Sequence, residues 1–178
     1  MLSKNNKSQV WVETVIYTLI GLSVIAIILA VALPQIEKSK DRSIIEQTVV
    51  ALNTLDGKIS EVEQSPGSVR VIDFSIAKGK LEINAVNESI MYTLEDTRLE
   101  LSQIGEEIKL GRIVLKTEKM PARYRITLTM SYSNLDITNK YGENLKVLQG
   151  GAAPYKVGIE NKETSNPSEN TKIEFSII

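Results

Sequence analysis

Neither cysteine nor histidine occurs in these 178 residues. Their absence removes the thiolate and imidazole ligands of most zinc and copper sites, the thiol nucleophiles, and the side chain that most general acid–base chemistry uses. Disulfides are excluded as well, so packing alone must hold the fold. Aromatic residues are only 5% of the chain and scattered, which argues against a base-stacking surface. A net charge of −1 provides no field for a nucleic-acid backbone. Phosphate loops, nucleophile elbows and metal-ligand spacings are also missing. Lys78-Gly79-Lys80 lacks the glycine spacing and following helix of a phosphate loop and reads as a hairpin turn. The sequence therefore predicts no enzymatic activity, no metal, no cofactor and no nucleic-acid partner.

What the chain does have is a long apolar run near its N-terminus. A short polar, basic leader, residues 1–8, precedes Gln9-Val10-Trp11-Val12-Glu13, and Thr14–Leu33 then runs twenty residues without a charge. That length matches the roughly 20 residues an α-helix needs to cross a hydrocarbon core. It exceeds the roughly 7–15-residue apolar core of an ordinary secretory signal. The run is apolar on every side, so no face of the helix wants water. Ala26 and Ala30 have the spacing that lets helices approach closely. Pro34, where the run stops, either kinks a continuous helix or begins a second one. Glu13 is the one carboxylate at the entrance. It is either a boundary residue within reach of water or a group kept to pair with a positive charge in an assembly.

Beyond Pro34, Ile45, Val49, Leu52, Leu55, Ile59 and Val62 recur at spacings of three and four, with Glu46, Lys58 and Glu61 off the stripe. This predicts an amphipathic stalk helix ending near Gln64, where Ser65-Pro66-Gly67 stops it. After Gly67 the period becomes two. Ile72, Phe74 and Ile76 alternate with polar residues, as do Leu81, Ile83 and Ala85, and later Ile90, Tyr92 and Leu94. Leu99 with Leu101, Ile108 with Leu110, and Ile113 to Leu115 follow. The cleanest alternation sets Tyr124, Ile126, Leu128, Met130 and Tyr132 on one face against Arg125, Thr127, Thr129 and Ser131. Tyr155, Val157 and Ile159, then Ile173, Phe175 and Ile177, complete eight or nine strands of an antiparallel sheet or sandwich with one buried face. Ser133–Asn139 reads as a solvated hairpin connection, and Leu148–Pro154 and Thr164–Asn170 as exposed loops. Asn87-Glu88-Ser89 is an N-glycosylation sequon on a surface connection, open to use if the domain faces outside. Pro167 disqualifies Asn166. The fold class is thus α+β: a long N-terminal helix, membrane half then amphipathic half, followed by a β-rich head.

The segment Lys7-Ser8-Gln9-Val10-Trp11-Val12-Glu13 with its apolar run resembles the class III signal peptide of archaeal type IV pilins and pilin-like proteins. The resemblance covers about 30 residues, and beyond them only the architecture of a helix followed by a β head. Trp11 stands where the family often has a small residue. It implies cleavage by a prepilin peptidase between Ser8 and Gln9, and places the family's conserved acid on Glu13. It also implies an assembly ATPase and a membrane platform protein as partners, and self-association into a cell-surface filament. The organisation would be leader 1–8, core helix 9–34, stalk helix 35–65 and extracellular head 66–178.

The Lys/Arg count does not orient the span, since Lys4 and Lys7 precede it and Lys38, Lys40 and Arg42 follow. A cytoplasmic N-terminus and an extracellular head rest on the resemblance. A membrane-anchored binding or adhesion module, or an accessory minor pilin that does not polymerise, has the same sequence features and stays open.

Overall fold

The computed structural model describes residues 6–162 and 170–178, with side chains from Val10 onward. Residues 1–5 of the leader lie outside the described residues, as does all but Asn170 of the loop expected at Thr164–Asn170. Helix α1 (Asn6–Glu63) is one run of 58 residues. Pro34 lies inside it, so the chain neither ends nor restarts a helix there. A proline in that place offers no N–H to the carbonyl four residues earlier, which costs one ladder bond without stopping the helix. The chain divides into two compact units, one ending at Ser39 and the other Lys40–Ile178.

In the second unit, the stripe expected on the stalk is the buried face of α1. Ile45, Leu52, Leu55, Ile59 and Val62 are all at most 3% exposed, and Val49 packs against them. Burying each such side chain contributes about 1.5–3 kcal/mol. The opposite face, with Glu46, Val50 and Glu61, is exposed.

Among the described residues ten strands follow: β1 (Val69–Phe74), β2 (Lys80–Asn84), β3 (Ser89–Thr97), β4 (Glu107–Leu110), β5 (Ile113–Lys119), β6 (Tyr124–Ser131), β7 (Leu135–Asn139), β8 (Leu145–Gln149), β9 (Tyr155–Lys162) and β10 (Thr171–Ile177). They form a six-stranded sheet in the order β4-β5-β6-β3-β2-β8 and a four-stranded sheet in the order β1-β9-β10-β7. The buried sides of both sheets and the α1 stripe make one core. The fold is α+β, with a long N-terminal helix and antiparallel-rich sheets.

Several local expectations are corrected. β7 pairs with β10 in parallel, in an otherwise antiparallel pair of sheets. Ser133–Asn139 is not a solvated connection, because its last five residues are β7, with Leu135 and Ile137 buried. A polar residue, Asn139, occupies the third inward position there and hid the period of two. Lys78-Gly79 is a tight turn but not a hairpin, since β1 and β2 belong to different sheets. Gly79 has φ +85°, and a Cβ there would lie 2.4 Å from the Thr93 carbonyl oxygen, so only glycine fits. Residues 99–101 are irregular; Ser102 and Thr117 exchange hydrogen bonds beside them, backbone N–H to hydroxyl each way, at 3.1 and 3.0 Å. Finally, β8 extends into the segment expected to be a loop and buries Leu148.

Candidate functional site

The apolar half of α1 is rich in Val and Ile, which are indifferent helix formers in water. Away from water the backbone must satisfy its own hydrogen bonds, and that requirement imposes the helix whatever the propensity. The side-chain hydroxyls follow suit. Thr14, Thr18 and Ser23 donate to the carbonyls of Val10, Thr14 and Leu19 at 2.8–2.9 Å, so these groups ask nothing of their surroundings. The most apolar window of 18 residues has a mean hydropathy of 2.7 and none of it is buried. This helix is long and apolar enough to cross a membrane. Every residue from Val10 to Val31 is exposed, including Ala26 and Ala30.

Ser8 and Gln9 lie within the helical backbone, and Glu13, exposed, comes one turn after Gln9. Trp11 and Tyr17, at 70% and 72% exposure, flank Glu13. Amphipathic rings of this kind gather where a membrane meets water.

The head holds its part of α1 with polar groups that the sequence pattern did not reveal. Asp41, 5% exposed, accepts hydrogen bonds from Lys78 Nζ at 2.8 Å and from the Thr97 hydroxyl. It lies one turn before Ile45, so extending the apolar stripe backwards would have exposed a carboxylate in phase with the core. Nearby, the Tyr92 hydroxyl donates to the Lys78 carbonyl at 2.6 Å, and burial pushes its pKa up to about 12. Further along α1, Asp56 accepts from the Tyr132 hydroxyl at 2.9 Å and pairs with Arg112 at 3.0 Å, while the Arg112 guanidinium lies 5.0 Å from the centre of the Tyr132 ring. Burial, and then the Asp56 charge, raise the Tyr132 pKa.

The end of α1 is closed by Asn161 on β9. Its buried carboxamide donates to the Val62 and Glu63 carbonyls at 2.8 and 3.2 Å, two acceptors that a helix end leaves without an internal partner. A polar residue at an inward strand position was the only signal for it.

The outer face of the six-stranded sheet has a shallow depression of about 610 Å³ lined by Lys80, Glu95, Lys116, Glu118, Arg125 and neighbouring threonines. Arg125 reaches Glu95 at 3.2 Å and Glu118 at 3.6 Å, and Lys116 reaches Glu118 at 3.5 Å, so these four charges are answered within the face. Among the described residues, no group of three or more acidic residues is placed to hold a metal. Asn87 is exposed in the turn between β2 and β3, far in the chain from the apolar helix. No family model, curated protein or solved structure matches this chain.

Proposed function

We propose that this protein is a type IV pilin-like structural subunit, processed between Ser8 and Gln9 and assembled through α1 into a cell-surface filament. One observation carries the reading: an apolar helix half exposed from Val10 to Val31, with a single carboxylate, Glu13, one turn after Gln9. Cleavage would leave an ammonium on Gln9. In an assembled core of low dielectric, Glu13 would pair with that ammonium on its own chain or on a neighbour and so set the register of adjacent subunits. The membrane then holds the helix before assembly, and the filament core replaces lipid as its apolar surroundings. The self-bonded hydroxyls of Thr14, Thr18 and Ser23 suit either environment equally.

Glu13→Ala tests this. Membrane insertion should be unchanged, because the variant removes a charge and adds nothing polar. Filament yield seen by electron microscopy should fall well below that of the unaltered chain. Normal yield would return Glu13 to a boundary role. If no filament depends on this chain at all, the permanently anchored binding module becomes the better account.

A further inference from the structure

Asn87, the acceptor position of the Asn87-Glu88-Ser89 sequon, is exposed on the head. In the turn Ala85–Glu88, the Asn84 carboxamide oxygen accepts the backbone N–H groups of Val86 and Asn87 at 2.9 and 3.0 Å. Asn84 is therefore the residue that shapes the turn, by the local side-chain-to-backbone bonding typical of asparagine in turns. Glu88, the middle residue of the sequon, has a positive φ of 46° and turns its carboxylate inward to accept the Ile137 N–H. Its carbonyl accepts the Tyr132 N–H at 2.8 Å. Ser89 opens β3, paired with Asn84 and Ser131. The flanking residues are thus occupied by the fold while Asn87 is exposed at the turn beside Val86, which is 67% exposed.

The turn also sits at a defined end of the second unit. Ser131 and Tyr132, beside Asn134, adjoin it, and Asn134 donates to the Glu63 carboxylate at 2.8 Å, at the last residue of α1. Asp41 and its Lys78 partner mark the other end of the same helical segment, so Asn87 is at the end of the head away from Asp41.

We infer that Asn87 carries an N-linked glycan on this end of the head. The donor would be an oligosaccharide joined through phosphate to a polyprenyl lipid. The Asn87 amide nitrogen attacks the anomeric carbon, forming a C–N bond. The C–O bond to phosphate breaks with its electron pair leaving on the lipid phosphate, and the amide proton passes to a base. The inference rests on the reading that places the head outside the cell. A polar, hydrated cover at this end is what an exposed subunit surface would gain.

The test is mass analysis of the full chain from its native membranes or filaments, read at two peptides. In the tryptic peptide Leu81–Arg98, a glycan appears as added hexose-type masses. The expected result is that mass in the native chain, its loss in Asn87→Gln and in Ser89→Ala, and its retention in Ser89→Thr. An unmodified Leu81–Arg98 peptide overturns the glycan. If that chain begins at Gln9, the subunit reading survives the loss; if it keeps residues 1–8, the processing claim fails with it. A glycan on a chain that keeps residues 1–8 supports the modification and removes the processing.

Discussion

Asp41 on α1 and Lys78 between β1 and β2 meet at 2.8 Å, with the Thr97 hydroxyl donating to the other carboxylate oxygen. A carboxylate in phase with a buried apolar stripe is costly unless its charge is answered, and here one cation and one hydroxyl answer it. Asp41→Ala should destabilise the head by about 1–3 kcal/mol, less than a fully buried pair because Lys78 is 44% exposed and can turn to water. Asp41→Asn keeps an acceptor for Thr97 and should cost less. Urea unfolding of the full chain in detergent, followed by the fluorescence of its tyrosines, measures both.

Asn161→Ala should leave the Val62 and Glu63 carbonyls buried without a donor. The expected loss is about 1–3 kcal/mol. Asn161→Asp should be worse than Ala, because it sets a negative charge against the negative end of the α1 dipole. Thermal unfolding by circular dichroism ranks the three chains.

The two faces of the stalk should respond to truncation very differently. Leu52→Ala opens a cavity under both sheets and should cost about 2–5 kcal/mol. Val50→Ala, at a side chain 66% exposed, should stay within about 0.5 kcal/mol. Similar losses from the two would contradict the assignment of the buried face.

Glu88 gives the head an unusual pH dependence. Burial, the largest effect, raises its carboxyl above the ordinary 4.5, with the Ile137 N–H opposing and the Asp136 charge adding. The folded chain therefore holds this proton more tightly than the unfolded chain does. The stability it contributes is complete below 4.5 and is lost as pH rises through the raised folded value. Glu88→Gln keeps an acceptor for Ile137 and cannot titrate. The variant should unfold at a higher urea concentration than the parent near neutral pH, with the difference shrinking in acid.

Since the chain has no cysteine, a single one can report on assembly. Ile20→Cys, at a site 54% exposed, should react with a maleimide in detergent-dispersed chains and be shielded in filaments. Leu52→Cys, buried in its own head, should be shielded in both. Mass analysis of the labelled chain reads the result.

The helix and its stripe were legible because one period ran unbroken from Ile45 to Val62 and each apolar position had only one side to face. β6 was legible for the same reason at a period of two. β7 was not, because Asn139 stands at an inward position and only two apolar residues remained to show the alternation. Lys78-Gly79 announced a tight turn, but nothing local says whether the next strand pairs with the last or crosses to another sheet. That choice is made by partners distant in sequence, Gln149 for Lys80 and Tyr155 for Phe74. Asp41 and Asn161 were missed because each is a polar residue serving the core, and hydropathy counts such residues as surface. Of the proposed site, the apolar span, Gln9 and Glu13 were all visible in sequence, while the self-bonding of Thr14, Thr18 and Ser23 shows only in the folded helix.

The central claim is that the leader is removed and the helix begins at Gln9. Intact-mass and N-terminal peptide analysis of the chain from native membranes or filaments tests it most directly. The account predicts a mature protein whose first residue is Gln9, with Glu13 four residues behind it. A membrane-resident chain that keeps Met1 to Ser8 would contradict it.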